Sequence, residues 1–184
     1  SRFIFVEKWK YMEDMRGGYP ILARWTTDFD CQYETNWWYV IKDEAFDISS
    51  LKAKRRYEIN KGKKNFVIKK IIATDYADDL FNVTREAYLS WPKKYRPSIN
   101  ESSFKKSLSE WKSAIIYGAF DIDNNLSGYA YLTDNTSYLE FNMLRVIPKN
   151  EKKGINAAII AKILEDNNEK LEGGWYINDG ARSI

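Results

Sequence analysis

From Asn65 onward, runs of apolar residues alternate in period between strand and helix. NFVIKKIIA (65–73) reads as a strand. From Asp75 to Trp91, Tyr76, Leu80, Val83, Ala87 and Tyr88 recur near a period of 3.6, which predicts a helix stopped by Pro92. Ser102 or Ser103 is placed to cap a second helix reaching about Lys112. SAIIYGAFD (113–121), LSGYAYLTD and TSYLEFNMLRVIP are strand patterns joined by the turns DIDNN and DNTS, which predicts an antiparallel meander. GINAAIIAKILEDNNEK (154–170) is apolar almost all round from Ile155 to Leu164, the mark of a helix buried on more than one side. Gly173-Gly174 break it, and WYIND (175–179) is a short strand. The order is β-α-α-β-β-β-α-β, an α+β arrangement in which the last helix crosses over to a strand beside the meander's final strand.

Residues 3–42 read as β-rich, with RFIFVEKWKYM, YPILARW and TNWWYVIKD as strands and MRGGYP as a turn. Trp9, Trp25, Trp37 and Trp38 lie here. Alternation sends adjacent Trp37 and Trp38 to opposite faces. Between this segment and Asn65 a helix is expected from about Ser49 to Lys61, capped by Asp47, Ser49 or Ser50 and stopped by Gly62. Ile48, Leu51 and Ile59 would form its apolar face. The chain divides on this reading into 1–46, a β-rich partial first lobe; 47–64, a basic connecting helix; and 65–184, the α+β domain.

Composition narrows the chemistry. The 184 residues contain no histidine and a single cysteine, Cys31. That excludes Ser-His-Asp and Cys-His catalysis and histidine- or cysteine-rich metal sites within this sequence, so no metal is expected. No apolar run approaches the 18 residues of a membrane span, and no signal peptide is evident, so a cytoplasmic location is expected. The net charge of +3 is uneven: residues 52–64 hold seven Lys or Arg against one Glu, a local +6, so the rest of the chain carries −3. Lys54, Arg55, Arg56 and Lys61 are therefore candidates for holding phosphates of a substrate or of tRNA, with a solvated helix face as the plain alternative. No DNA-binding motif is present.

The order from Asn65 to Asp179 resembles the GNAT fold of acyl-CoA N-acyltransferases. LRVIPKNEKKGINAAII (144–160) stands where that family places a phosphate-cradling turn, written Gln/Arg-x-x-Gly-x-Gly/Ala. Gly154 matches it, while Glu151 and Asn156 depart from it. The resemblance implies a GNAT-like mixed sheet with a central meander flanked by helices. It also implies a donor site over Val146, Lys149, Lys152, Lys153, Gly154, Ile155 and Asn156. DISSLKAKRRYEINKGKKNFVIKKI (47–71) resembles the FemABX branch, whose members move amino acids from aminoacyl-tRNA; Lys54, Arg56, Ile59, Lys61 and Gly62 carry the likeness. The whole chain is also similar to uncharacterised bacterial GNAT-like proteins, through GGYPILARW, YETNWWYVIKD, KAKRRYEINKG and YINDGARSI. In those proteins the chain runs on past GARSI, so a C-terminal part of the fold is expected to be missing here.

The implied activity is transfer of an acyl or aminoacyl group, from acyl-CoA or aminoacyl-tRNA, to an amine. The acceptor would be a small molecule or a glycan, such as an amino sugar of the cell envelope. The rival is a non-catalytic module of the same fold that binds an anionic glycan, nucleotide or RNA. For transfer, strand alternation puts Glu140 with Asn142 and Tyr138 on one face, and Leu139, Phe141 and Met143 on the other. Glu140 is the candidate base, with Asn142, with Tyr131 on the neighbouring strand, and with Asn178 or Asp179 at the end of the next strand beside it. Backbone N–H groups between Leu144 and Val146 would serve the oxyanion.

Overall fold

The computed structural model describes residues 37–111 and 114–183, with side chains from Val40 to Trp111 and from Ala114 to Gly180. The strands expected within 3–36, with Trp9, Trp25 and Cys31, lie outside the described residues, as do the side chains of Trp37 and Trp38.

Six strands form one sheet: β1 (Trp37–Lys42), β2 (Val67–Ile71), β3 (Ala114–Phe120), β4 (Leu126–Asp134), β5 (Tyr138–Val146) and β6 (Tyr176–Ser183). Their spatial order is β1-β6-β5-β4-β3-β2. All neighbours are antiparallel except β5 and β6. Among the described residues the α-helices are α1 (Ala53–Asn65), α2 (Ala77–Leu89), α3 (Glu101–Leu108), α4 (Ile155–Asp166) and α5 (Asn168–Glu172). The mixed α+β architecture expected from the sequence, a central meander flanked by helices, is the observed one. The meander is β3-β4-β5, and α4 is the crossover to parallel β6.

Each face of the sheet has its own core. On one, α1, α4 and α5 cover Tyr117, Ala119, Ala130, Leu132, Leu139 and Ile177, with Phe66, Ile155, Ile159 and Ile163 filling the space between. On the other, α2 and α3 bring Leu80, Val83 and Leu108 onto Ile116, Phe120, Leu126 and Tyr129. Of the period-3.6 residues, Leu80, Val83 and Ala87 are buried in α2 together with Phe81 and Thr84, while Tyr88 is half-buried and Tyr76 precedes the helix.

Several local expectations change. The helix expected over 154–170 is broken at Asn167 into α4 and α5, and α3 ends at Leu108, short of Lys112. Residues Ile48–Ser50 form a separate 3₁₀ turn capped by Asp47, whose carboxylate accepts from the Ser49 N–H at 2.8 Å. Leu51 is extended, so α1 starts only at Ala53. Gly62 does not stop α1. The helix runs three residues further, to Asn65, and Gly62 is buried inside it. A Cβ on Gly62 would sit 2.2 Å from the Gly154 carbonyl oxygen and 2.6 Å from Ala158 Cβ, so the glycine is there to let α1 touch α4. At α3 the cap is Asn100, not Ser102 or Ser103: its side chain accepts from the Ser103 N–H at 2.9 Å.

Candidate active site

The sheet opens at one place. β5 and β6 pair over three residues only, Tyr138–Glu140 against Tyr176–Asn178. Beyond Glu140, β5 continues to Val146 and β6 turns toward β1, so the parallel pair forks. A bulge marks the same point: Leu132 pairs with Phe141 but Tyr131 pairs with Met143, which leaves Asn142 as the extra residue. The bulge also corrects the expected alternation. Leu139 and Phe141 lie in the α4-side core, but Met143 is carried over to the α2-side core.

On the α2 and α3 face at this fork the polar residues meet. Asn178 Nδ2 donates to Glu140 Oε2 at 3.1 Å, and the Asn178 side-chain oxygen accepts from the Gly180 N–H at 2.9 Å. Asn178 is thus held at both ends, and it fixes one carboxylate oxygen. Asn142 Nδ2 donates to Thr133 Oγ1 at 2.9 Å and to the Glu140 carbonyl at 3.2 Å. Thr133 Oγ1 is 3.5 Å from the Tyr131 hydroxyl. The Tyr131 ring stacks on Trp111, 4.9 Å between centroids and 7° from parallel. Glu140 and Asn142, singled out by alternation, and Tyr131, expected from the neighbouring strand, therefore share one cluster. The residue of β6 that reaches Glu140 is Asn178, the one before Asp179. Thr133 and Trp111 also belong to the cluster. No single-strand pattern points to them, because only the cross-strand register puts Thr133 opposite Glu140.

Backbone donors lie along the same fork. The Ile147 N–H donates to the Ser127 carbonyl at 2.9 Å. Antiparallel alternation then turns the N–H groups of Leu144 and Val146 away from β4, toward the side that β6 has left. A carboxylate, hydroxyl and amide groups, and a strand edge with outward N–H groups are the parts that acyl transfer to a nucleophile requires.

The turn before α4 is arranged differently. Pro148–Lys153 form 3₁₀ turns, and Gly154 is left-handed at φ 84°, starting α4 without a side-chain cap. A Cβ on Gly154 would lie 2.5 Å from the Glu58 carbonyl oxygen and 2.8 Å from the Gly62 nitrogen. The glycine that matched the phosphate-turn pattern is thus required by its conformation and by the close approach of α1. Ile155 is fully buried and Asn156 half-buried, its Oδ1 enclosed with no hydrogen-bond partner. Lys149, Lys152 and Lys153 are exposed around the turn. Val146 is buried beneath it.

The basic face of α1 is exposed throughout, but its cations differ. Arg55 pairs with Glu58 at 2.8 Å. Arg56 donates to the carbonyls of Ser49 (3.1 Å) and Leu51 (2.7 Å), which secures the 3₁₀ turn. Among the described residues Lys54 and Lys61 make no ion pair, and Lys61 lies 6.0 Å from the Tyr57 ring centre. Asn65 Nδ2 reaches the Lys153 carbonyl at 3.3 Å, so the end of α1 and the Lys152-Lys153 turn are adjacent. Among the described residues, no group of three carboxylate, cysteine or histidine side chains is placed to hold a metal. No described helix is long and apolar enough to cross a membrane.

No family model matches the sequence, and no curated protein does. Solved structures match the fold. L-PGS from Bacillus licheniformis aligns with 97% of this chain and 57% of its own, at 13% identity and a TM-score of 0.58. The C-terminal domain of a putative lysylphosphatidylglycerol synthetase from Agrobacterium fabrum aligns with 79% of this chain and 46% of its own, at 15% identity and a TM-score of 0.52. The paia N-acetyltransferase from Thermoplasma acidophilum, solved with coenzyme A, aligns with 59% of this chain and 74% of its own, at 21% identity and a TM-score of 0.44. This chain thus spans about half the length of the first two structures.

Proposed function

We propose that the protein transfers an acyl or aminoacyl group to an amine, with the reaction at the β5/β6 fork. The observation that carries this reading is the Glu140 carboxylate, held at 3.1 Å by Asn178 where the two parallel strands part. Glu140, through ordered water, takes the proton that the attacking amine must lose. Of the outward N–H groups of Leu144 and Val146, the nearer, Leu144, receives the negative oxygen of the tetrahedral intermediate. Asn142, Thr133 and Tyr131 orient the acceptor beside the carboxylate. Asp179 borders the same end of β6. The acceptor class carried from the sequence is an amino sugar or similar small polar amine.

The donor is acyl-CoA or an aminoacyl-tRNA. For acyl-CoA, Val146, Lys149, Lys152, Lys153 and the start of α4 at Gly154, Ile155 and Asn156 would hold the diphosphate, and the thioester would supply the activated carbonyl. The residues fit this only in part: Glu151 adds a negative charge, and Gly154 is already in backbone contact with α1. For aminoacyl-tRNA, Lys54, Arg55, Arg56 and Lys61 on α1 would meet backbone phosphates. This branch gains support from the neighbour named for lysylphosphatidylglycerol, an aminoacyl product. The Gly154–α1 contact also favours a second reading, a binding module whose cofactor turn is used for packing.

A transfer assay decides among these. The protein is given glucosamine with either acetyl-CoA or a mixed aminoacyl-tRNA pool, and products are read by mass spectrometry. N-acylated product from one donor supports the enzyme reading and names the donor. No product from either, together with no calorimetric heat from acetyl-CoA at millimolar concentration, returns the fold to the binding-module reading.

A further inference from the structure

One charged group on the α2 face is left over by the transfer chemistry. Arg145 is on β5, in the stretch that β6 has left, and pairs across the sheet with Tyr129. It is half-buried. The other described arginine side chains each have two backbone carbonyls or a carboxylate: Arg55 has Glu58, Arg56 has Ser49 and Leu51, Arg85 has Glu86, and Arg96 has Leu89 and Trp91. Among the described residues Arg145 has one acceptor, the Leu144 carbonyl at 3.1 Å from Nη1, and its Nε is enclosed without a partner. No described carboxylate pairs with it. Its guanidinium carbon lies 5.3 Å from the Tyr88 ring centre, a contact that offsets only part of the cost of withdrawing a cation from water.

The surroundings indicate what is missing. The Tyr88 ring also meets Trp91 edge-on at 5.6 Å, where an exposed loop begins. Residues 90–98, SWPKKYRPS, are all exposed. They contain Lys93, Lys94 and Arg96 and no acidic residue. Arg96 closes the loop on the Leu89 and Trp91 carbonyls. A half-buried, underused guanidinium beside an aromatic wall and a cationic loop suits a planar or tetrahedral oxyanion.

We propose that Arg145, with Tyr88 and the loop from Trp91, forms a binding site for a phosphate group carried by the ligand, either on a soluble phosphate ester or on a lipid headgroup. Glu140 is five residues away, roughly 16 Å along the strand, so the phosphate lies clear of the Glu140 carboxylate. That this ligand is the acceptor rests on the transfer reading; the binding itself does not, and its test needs no activity.

The test is binding of glycerol phosphate by calorimetry, and of phosphatidylglycerol or phosphatidylcholine vesicles by co-sedimentation, to wild type, Arg145→Lys and Arg145→Gln. We expect saturable binding of one anionic probe, weakened about tenfold or more by Arg145→Gln and less by Arg145→Lys, since a hydrogen bond to a charged group is lost in the first and a charge remains in the second. Glycerol phosphate binding identifies a soluble ester; binding to phosphatidylglycerol vesicles alone identifies a headgroup. Should Arg145→Gln fail to fold, protection of Arg145 from phenylglyoxal by the same probe in the wild type replaces it. Equal binding by wild type and Arg145→Gln, or no anionic probe bound or protecting, overturns the site.

Discussion

The two faces of the sheet put glycine and polar residues to opposite uses. On the α1 and α4 face, the sequence carries the phosphate-turn glycine, yet the structure uses Gly154 and Gly62 to bring two helix backbones together. On the α2 and α3 face, no motif announces a ligand, yet Glu140, Asn142, Tyr131, Thr133 and Asn178 converge there and Arg145 is left underused. A glycine that fits a ligand-binding pattern is evidence of close approach by something. The neighbour it approaches has to be seen before that neighbour is called a cofactor.

The largest expected effect breaks the packed side. In an ordinary helix interior Gly→Ala gains up to about 1 kcal/mol. For Gly62→Ala the new Cβ would meet a carbonyl oxygen at 2.2 Å, so the sign reverses and we expect a loss of about 3 kcal/mol in chemical denaturation. A neutral or stabilising result would mean that α1 does not sit on α4 as described.

A smaller contrast uses one tyrosine from each face. Both Tyr117 and Tyr129 are fully buried. Thr84 gives its proton to the Leu80 carbonyl at 2.8 Å, so the Tyr129 hydroxyl donates to Thr84 at 2.7 Å. The Tyr117 hydroxyl lies near Asp166 and Asn167, and among the described residues it makes no hydrogen bond of normal geometry. Tyr129→Phe should cost about 1 kcal/mol and Tyr117→Phe close to nothing. Burial raises both hydroxyls above the usual tyrosine range. A raised native value favours the neutral form. The associated stability is complete below the unfolded tyrosine value near 10 and falls as pH rises past it. Tyr117→Phe should therefore lessen the alkaline loss of stability. Equal costs for the two substitutions would remove the distinction between a dry face and a hydrogen-bonded one.

How far the sequence reached follows from the same contrast. α2, the meander and the crossover were legible because their apolar spacing matches what they bury. Glu140 was placed on the correct face because Leu139 beside it faces the core, and local alternation is enough for that. Met143 was not, since a bulge at Asn142 depends on the partner strand. Asn178 and Asp179 stayed alternatives because the parallel register of β5 and β6, which brings Asn178 to Glu140, is a property of two distant segments. Gly62 read as a stop because local rules assign glycine to helix ends, whereas here its missing side chain serves a tertiary contact.

The central claim is that transfer takes place at Glu140. Its most direct measurement is the rate of N-acylation of glucosamine by wild type and Glu140→Gln with whichever donor is productive, both proteins having the same thermal midpoint. A base of this kind contributes a factor of about 100 or more, so the rate should fall by at least that much. A Glu140→Gln protein that transfers at the wild-type rate would contradict the account.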